Sequence, residues 1–307
     1  MLEQIEEARI IAVKKQNKCY LITGIIGICI FSLIVFITGG FSFDFFTIIH
    51  TLIFTLVPTI ILGTIITAIF SSKDVKKFND LYKKNIVEAT FKELFTDVVF
   101  DVDKGIDYSI IANTGMMDMG DSFTSNDYVT GKYKDINFAS SDVNITETHT
   151  DSDGDSHTVT LFSGQWYIFD FNKAFKANVQ VKDVHFSNAR TYRRKGESKY
   201  QKVELEDIDF NKKFVCYAQE PLEAFYIITP RMMEKLKATK EKMKHSLILC
   251  FVDNRLHIGV STGKDLYEPN LRKKVNLEAA RAVVLNDLQP IIDFVDGLEL
   301  DNNLFKI

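Results

Sequence analysis

The chain has 307 residues, with 37 Lys and Arg against 41 Asp and Glu and a formal net charge of −4. Hydrophobic residues at 46% and charged residues at 25% sit near globular averages, which excludes global disorder and a coiled coil. The near-balanced charge argues against a dedicated nucleic-acid binder. The apolar residues are not spread evenly, however: they concentrate before residue 71.

Residues 1–18 read as an N-terminal helix on the cytoplasmic side. From Cys19 to Thr38 no charge occurs, and a helix of about 20 apolar residues spans the hydrocarbon core of a bilayer. A second apolar stretch runs from Phe45 to Phe70, with His50 its only titratable side chain and Pro58 inside it. Proline is better tolerated in a membrane helix than in a soluble one. The glycines of GGFSFD, 39–44, suit a tight turn, so residues 19–70 read as a transmembrane hairpin with spans at about 19–38 and 48–70. A cleaved signal peptide fits less well: the apolar run is too long, no A-x-A site follows it, and Glu3, Glu6 and Glu7 dilute the preceding positive region. Lys14, Lys15 and Lys18 precede the first span, Lys73, Lys76, Lys77, Lys83 and Lys84 follow the second, and the connecting loop carries Asp44 but no cation. By the positive-inside rule both termini are expected in the cytoplasm of a cell whose plasma membrane holds the hairpin. The cysteines, Cys19, Cys29, Cys216 and Cys250, form no CxxC pair, which fits free thiols in a reducing compartment.

Residues 71–96 approximate helical spacing, with Val75, Phe78, Tyr82, Ile86, Ala89 and Phe95 between lysines. They read as a stalk helix, or as an amphipathic helix lying on anionic lipid through Lys73, Lys76 and Lys77. Residues 97–307 are expected to form a cytoplasmic α+β domain. Short alternating runs at 126–137, 143–149, 157–163, 165–171, 177–186, 200–205 and 213–218 predict antiparallel strands, dense in aromatics such as Tyr128, Phe162, Trp166 and Phe169. Thr229-Pro230 predicts a capped helix to about His245. SLILCFV and RLHIGVS flank a turn at Asp253-Asn254 and predict a hairpin, and Asn276 is expected to cap a last helix that Pro290 kinks.

Candidate chemistry is sparse. TDSDGDSH, 150–157, resembles a calcium loop, but Gly154 stands fourth from Asp151 and Phe162 twelfth, where an EF-hand needs glycine sixth and glutamate twelfth; a hairpin tip explains the residues. His149 and His157 could face each other across that tip, with no further metal ligand placed by spacing. Arg190, Arg193, Arg194, Lys195, Lys199 and Lys202 read as a solvated loop or as a contact for headgroups, for which Arg193 and Arg194 are the candidates. His50 and Asp44 lie near the outer membrane interface, where burial costs little. GxSxG, Walker, GxGxxG and HExxH patterns are missing, and no metal or cofactor is indicated.

Several strings carry a resemblance: SNDYVTGKYKDINFASSDV (125–143), LFSGQWYIFDFNKAF (161–175), EDIDFNKKFVCYAQEPLEAFYIITPRMMEKL (206–236), CFVDNRLHIGV (250–260), DLYEP (265–269) and DFVDGLEL (293–300). In this order they resemble the bacterial domain-of-unknown-function 3137 family. The resemblance implies a pair of N-terminal membrane helices and brings no activity and no catalytic residue. Where members of the family often carry polar residues around the EA step, this chain has Pro221-Leu222 before Glu223 and Phe225 after Ala224, which weakens any site there. The segment itself reads as a strand ending at Tyr217, a tight connection, a buried strand 224–228 and a capped helix. Glu223, set in apolar surroundings, either has a structural partner or lines a groove, and Glu223, Asp170 and Arg255 are the candidate groove or partner contacts.

The expectation is therefore an α+β protein: an N-terminal two-helix transmembrane hairpin, then an antiparallel-β-rich cytoplasmic domain with C-terminal helices. A binding or scaffold module fits best, with the bilayer and a protein or a second copy of the chain as partners and no nucleic acid. An accessory subunit of a transport or envelope complex and an enzyme on a lipid-linked or nucleotide substrate are the alternatives.

Overall fold

Two long helices open the chain. In the computed structural model, which describes residues 1–37, 45–170, 176–186 and 200–300, helix α1 spans Leu2–Ile37 and α2 spans Phe45–Tyr82, running through Pro58. Both are long and apolar enough to cross a membrane. The stalk expected after residue 70 is the direct continuation of α2, followed by a π-helical turn, Lys83–Val87, and the short helix α3, Glu88–Leu94. The 39–44 turn lies outside the described residues.

The chain divides into two units, Met1–Ile86 with Glu268–Ala280, and Val87–Tyr267 with the residues from Arg281 onward. In the first unit α1 and α2 pack through small residues, as membrane helices do where close backbone approach replaces a hydrophobic driving force. A Cβ on Gly27 would come within 2.4 Å of Thr59 Cγ2, and one on Gly63 within 3.0 Å of Thr23 Oγ1. Thr23 and Thr59 hydroxyls donate back to the carbonyls of Cys19 and Thr55, so neither of these two hydroxyl protons is left facing the apolar surroundings. Lys15 of α1 pairs with Asp74 of α2 at 2.6 Å. The 268–280 segment is tied to the same unit: Val275 N–H donates to Glu6 Oε2 at 3.2 Å, Arg9 Nη1 to Leu271 O at 3.0 Å, and Asn79 Nδ2 to Glu268 Oε2 at 3.0 Å, with Lys83 also on Glu268. Hydrogen bonds from Arg9 hold the Glu6 carboxyl below its ordinary value.

The close approach has a measurable consequence. Gly27→Leu is expected to lower the thermal midpoint of the detergent-solubilised chain, the overpacking costing about 1–3 kcal/mol. Gly24→Leu, on a side with nothing within 4 Å, should leave the midpoint close to wild type.

The second unit is built on a nine-stranded antiparallel sheet of order β1-β2-β3-β4-β9-β8-β5-β7-β6. In chain order the strands are β1 Thr96–Asp101, β2 Ser122–Tyr133, β3 Ile136–Thr150, β4 Ser156–Asp170, β5 Val179–Asp183, β6 Gln201–Val203, β7 Phe214–Ala218, β8 Ser246–Val252 and β9 Arg255–Ser261. The runs 157–163 and 165–170 prove to be one strand: Gly164 sits between them at φ 153° with the ladder continuous across it, because Val143 pairs with Gly164 and Asp142 with Gln165; residue 171 lies outside the described residues. The 253–254 turn has both residues at positive φ (51° and 58°), the geometry that joins twisted strands without splaying them. The tip at 151–155 is a turn in which Asp151 Oδ1 accepts from Asp153 and Asp155 N–H, with Gly154 at φ 88°.

Helices complete the unit: α4 Tyr108–Ala112, α5 Ile208–Lys213, α6 Pro221–Ile227, α7 Pro230–Met243 and α8 Leu277–Gly297. The buried strand expected at 224–228 is helix α6 instead; Pro221 occupies its first turn, where the missing N–H is harmless and the fixed φ favours a helix. Thr229 caps α7 by accepting from Met232 N–H, and Asn276 caps α8 by accepting from Ala279 N–H. Helix α8 continues through Pro290.

Strand alternation sorts the core into two layers. Gln165, Tyr167 and Phe169 of β4 share one face with Asp142, Ser140 and Phe138 of β3 and with Val260, Ile258 and Leu256 of β9. Phe294 of α8 covers that face, 5.4 Å from Tyr167 and 6.0 Å from Phe169 between ring centres. Trp166 and Ile168 point to the other face, where Ile106, Ile111 and Met116 cover them. Two side chains of β5 hold this cover in place: Gln180 Nε2 donates to Thr114 O at 2.8 Å and Lys182 Nζ to Met116 O at 2.6 Å. Burial draws the Lys182 ammonium down to about 8.

Candidate functional site

Asp170 and Arg255 come together, because β4 and β9 pair with these two residues in register. Arg255 Nε lies 3.5 Å from Asp170 Oδ1, and Asn137 Nδ2 donates to Asp170 Oδ2 at 2.9 Å. They stand at one side of an open groove of about 330 Å³ whose apolar lining includes Ile106, Ile110, Tyr128 and Ile168. Both charges are about half exposed, so the pair itself adds little to stability. The groove combines a greasy floor with one cation, Arg255, and two carboxylates, Asp97 and Asp170, in its lining.

Glu223 is elsewhere. It lies in the first turn of α6, buried, with Oε1 accepting from Lys176 N–H at 3.2 Å, and it is not among the groove's lining residues. Its carboxylate fixes the backbone that leads into β5. Lys73, Lys76 and Lys77 are exposed along α2. Arg190, Arg193, Arg194, Lys195, Lys199 and Asp44 lie outside the described residues. His149 and His157 pair in register, ring centres 5.5 Å apart, and His50 stacks on Phe54 at 4.6 Å.

A second constellation was not singled out in the sequence. The β2–β3 register slips by one residue between Asn126 and Val129, and this bulge carries Asp127, at φ 53°, fully buried. Asp142 of β3 follows it on the α8 side of the sheet, and Asp265 arrives from the loop after β9. One carboxylate oxygen from each lies within 4.8 Å of the others. Among the described residues this is the one group of that kind. Gln165 Nε2 and Leu266 N–H both donate to Asp142 Oδ1. Burial, and then the charge of Asp265, raise the Asp142 carboxyl well above the ordinary carboxylate range. Tyr267, two residues beyond Asp265, packs on Phe91 and Phe100 at 5.7 and 6.5 Å, and burial above all, with Tyr167 and the charges of Asp142, Asp287 and Asp127 adding to it, holds its proton on.

A unit of two membrane-length helices followed by a nine-stranded antiparallel α+β unit defines the class of protein. Residues 160–300 match the family described as "Protein of unknown function (DUF3137)", the family that the sequence strings resemble. No curated protein matches the chain. Among solved structures, the crystal structure of the mycobacterial trehalose monomycolate transport factor A, TtfA, is similar at a TM-score of 0.37 and 9% identity, over 72% of this chain and 94% of that one; a likeness of that size carries no argument.

Proposed function

We propose that the protein is a membrane-anchored binding or scaffold module: α1 and α2 hold it in the plasma membrane, and the α+β unit recruits a protein or small ligand at the cytoplasmic face. The observation that carries this reading is the division of surface character along the chain. Apolar side chains stand exposed on several sides of α1 and α2, among them Leu21, Ile28, Phe54, Ile69 and Phe70, a surface that suits lipid and not water. The second unit buries its apolar residues on both faces of a sheet and offers a groove with charges of both signs at its rim. Orientation follows from the lysines that flank the spans.

The test is capture of a partner by the full chain after mild detergent extraction, repeated with Asp170→Ala and Arg255→Ala. Because each member of that exposed pair contributes under about 1 kcal/mol to folding, loss of capture in these variants reports on the groove. A stoichiometric partner lost in both variants supports the module; no stoichiometric partner or ligand with the wild-type chain counts against it. Exchanging residues 1–71 for an unrelated two-span hairpin separates this reading from a role inside the membrane, since a scaffold keeps its function after the exchange.

A further inference from the structure

We infer that Asp127, Asp142 and Asp265 form a binding site for one hard divalent cation, of the magnesium or calcium kind, on the α8 side of the sheet. The inference stands on geometry and on the polar atoms left over around the carboxylates, and it does not rest on the proposed function. Three carboxylates from three separate elements converge until one oxygen of each lies within 4.8 Å of the others. Oxygens bound to one cation at about 2.4 Å lie no more than about 4.8 Å apart, so the three fit within a single oxygen shell, and a slightly tighter shell suits magnesium. Like charges brought this close repel one another, and a divalent ion between them turns the repulsion into attraction.

Two further groups point to the same ligand. Gln165 is fully buried; its amide head ends on Asp142, yet its own carbonyl oxygen, Oε1, receives no donor. The Tyr267 hydroxyl is likewise buried without a hydrogen-bond partner, and the charges of Asp142 and Asp127 reach it. Buried polar atoms are nearly always satisfied, and each one that is not carries a desolvation cost. Gln165 Oε1 belongs to the same amide head that donates to Asp142, so a hard oxygen donor without a partner stands beside the carboxylates, where a cation would satisfy it. The donor set is oxygen throughout, which selects magnesium, calcium or manganese and not zinc or copper. Asp127 and Asp142 are buried while Asp265 is exposed, which leaves one open side through which the ion enters and keeps some of its water. Bound there, it ties the β2 bulge, β3, β4 and the 261–267 loop together.

The experiment uses the full chain in detergent, stripped with a chelator and then titrated with magnesium chloride or calcium chloride alone, with heat of binding and thermal midpoint as readouts. One cation per chain is expected, with a rise in midpoint. Asp265→Asn, at an exposed position that tolerates the change, should weaken affinity at least about tenfold, since even outer-shell changes at metal sites cost that much. A merely structural cluster would not give the sign reversal expected next. In chelator, Asp265→Asn removes a repelling charge and Asp142→Asn replaces a carboxyl that burial and the Asp265 charge keep protonated, so both should melt at or above the wild-type temperature; in saturating cation both should melt below it. Asp151→Asn at the 150–157 hairpin tip should behave as wild type throughout. Absence of uptake of either ion at millimolar concentration, unchanged affinity in Asp265→Asn, or loss of binding in Asp151→Asn would overturn the site, and Asp265→Asn decides alone if Asp142→Asn does not fold.

Discussion

Acidification from pH 7 to pH 4 is expected to remove about 3 kcal/mol of folding stability through a single residue, His257. Its imidazole is buried between strands, and burial first, then the nearby Arg255 charge, pull its pKa from 6.5 down to about 3. Trp166 Nε1 donates to His257 Nδ1 at 3.3 Å, so the ring is neutral with its proton on Nε2, and a second proton would destroy the acceptor. The unfolded chain takes up that proton as pH falls through 6.5, whereas the folded chain resists until about 3. Between these values the unfolded state binds more protons, so stability falls with falling pH at about 1.4 kcal/mol per pH unit. Denaturant midpoints of wild type and His257→Gln, compared from pH 7 to pH 4, isolate this effect, because other groups titrate alike in both. The variant keeps an acceptor for Trp166 and should show the shallower pH dependence; parallel curves would refute the assignment.

Trp166→Ala should be the most damaging single truncation in the second unit, costing about 3–5 kcal/mol. Trp166 is the single tryptophan of the chain and is fully buried. Its ring stands edge-on to Phe162 at 5.7 Å and lies over Gly259, where a Cβ would approach Trp166 Cζ3 to 3.0 Å and Ile248 Cγ1 to 2.8 Å. Glycine at 259 therefore makes room for the indole, and removal of the indole leaves a void that a β-sheet cannot close. Trp166→Phe should lose less, since a ring still fills part of the space. Urea unfolding of the three chains checks the order. A truncation that costs under 1 kcal/mol would mean that the layer beneath the 104–120 cover is not packed as described.

Much of this architecture was legible in the residues because local signals and burial agree there. The charge-free runs announce α1 and α2; Thr229-Pro230 and Asn276 announce helix starts; Asp253-Asn254 announces a hairpin. The misreadings have physical causes. Residues 224–228 are apolar and rich in strand formers, yet Pro221 and the burial of Ala224 and Ile227 on one side make a helix. Gly164 looks like a break, but lies where Val260 O would stand 2.1 Å from a Cβ, so it is a point of close strand approach inside one long strand. Asp170 and Arg255 meet by strand register, which spacing along the chain does not encode. The three aspartates were the hardest to see. They are spread from position 127 to position 265, and what joins them is a one-residue bulge and the order of strands in the sheet. Their places inside the strings that carry the family resemblance were the available clue.

The central claim, that lipid surrounds α1 and α2 and that the α+β unit lies on the cytoplasmic side, is tested most directly by labelling a cysteine at the 150–157 hairpin tip. Asp151→Cys puts a thiol at an exposed turn, while Cys216 and Cys250 are buried, where burial pushes the Cys216 thiol up to about 12 and raises that of Cys250 further. In cells expressing this variant, the chain should pellet with membranes, resist extraction at alkaline pH, and react with a membrane-impermeant maleimide at position 151 only after the membrane is opened. Labelling at that position in intact cells, or recovery of the unmodified chain from the aqueous fraction, would contradict the account.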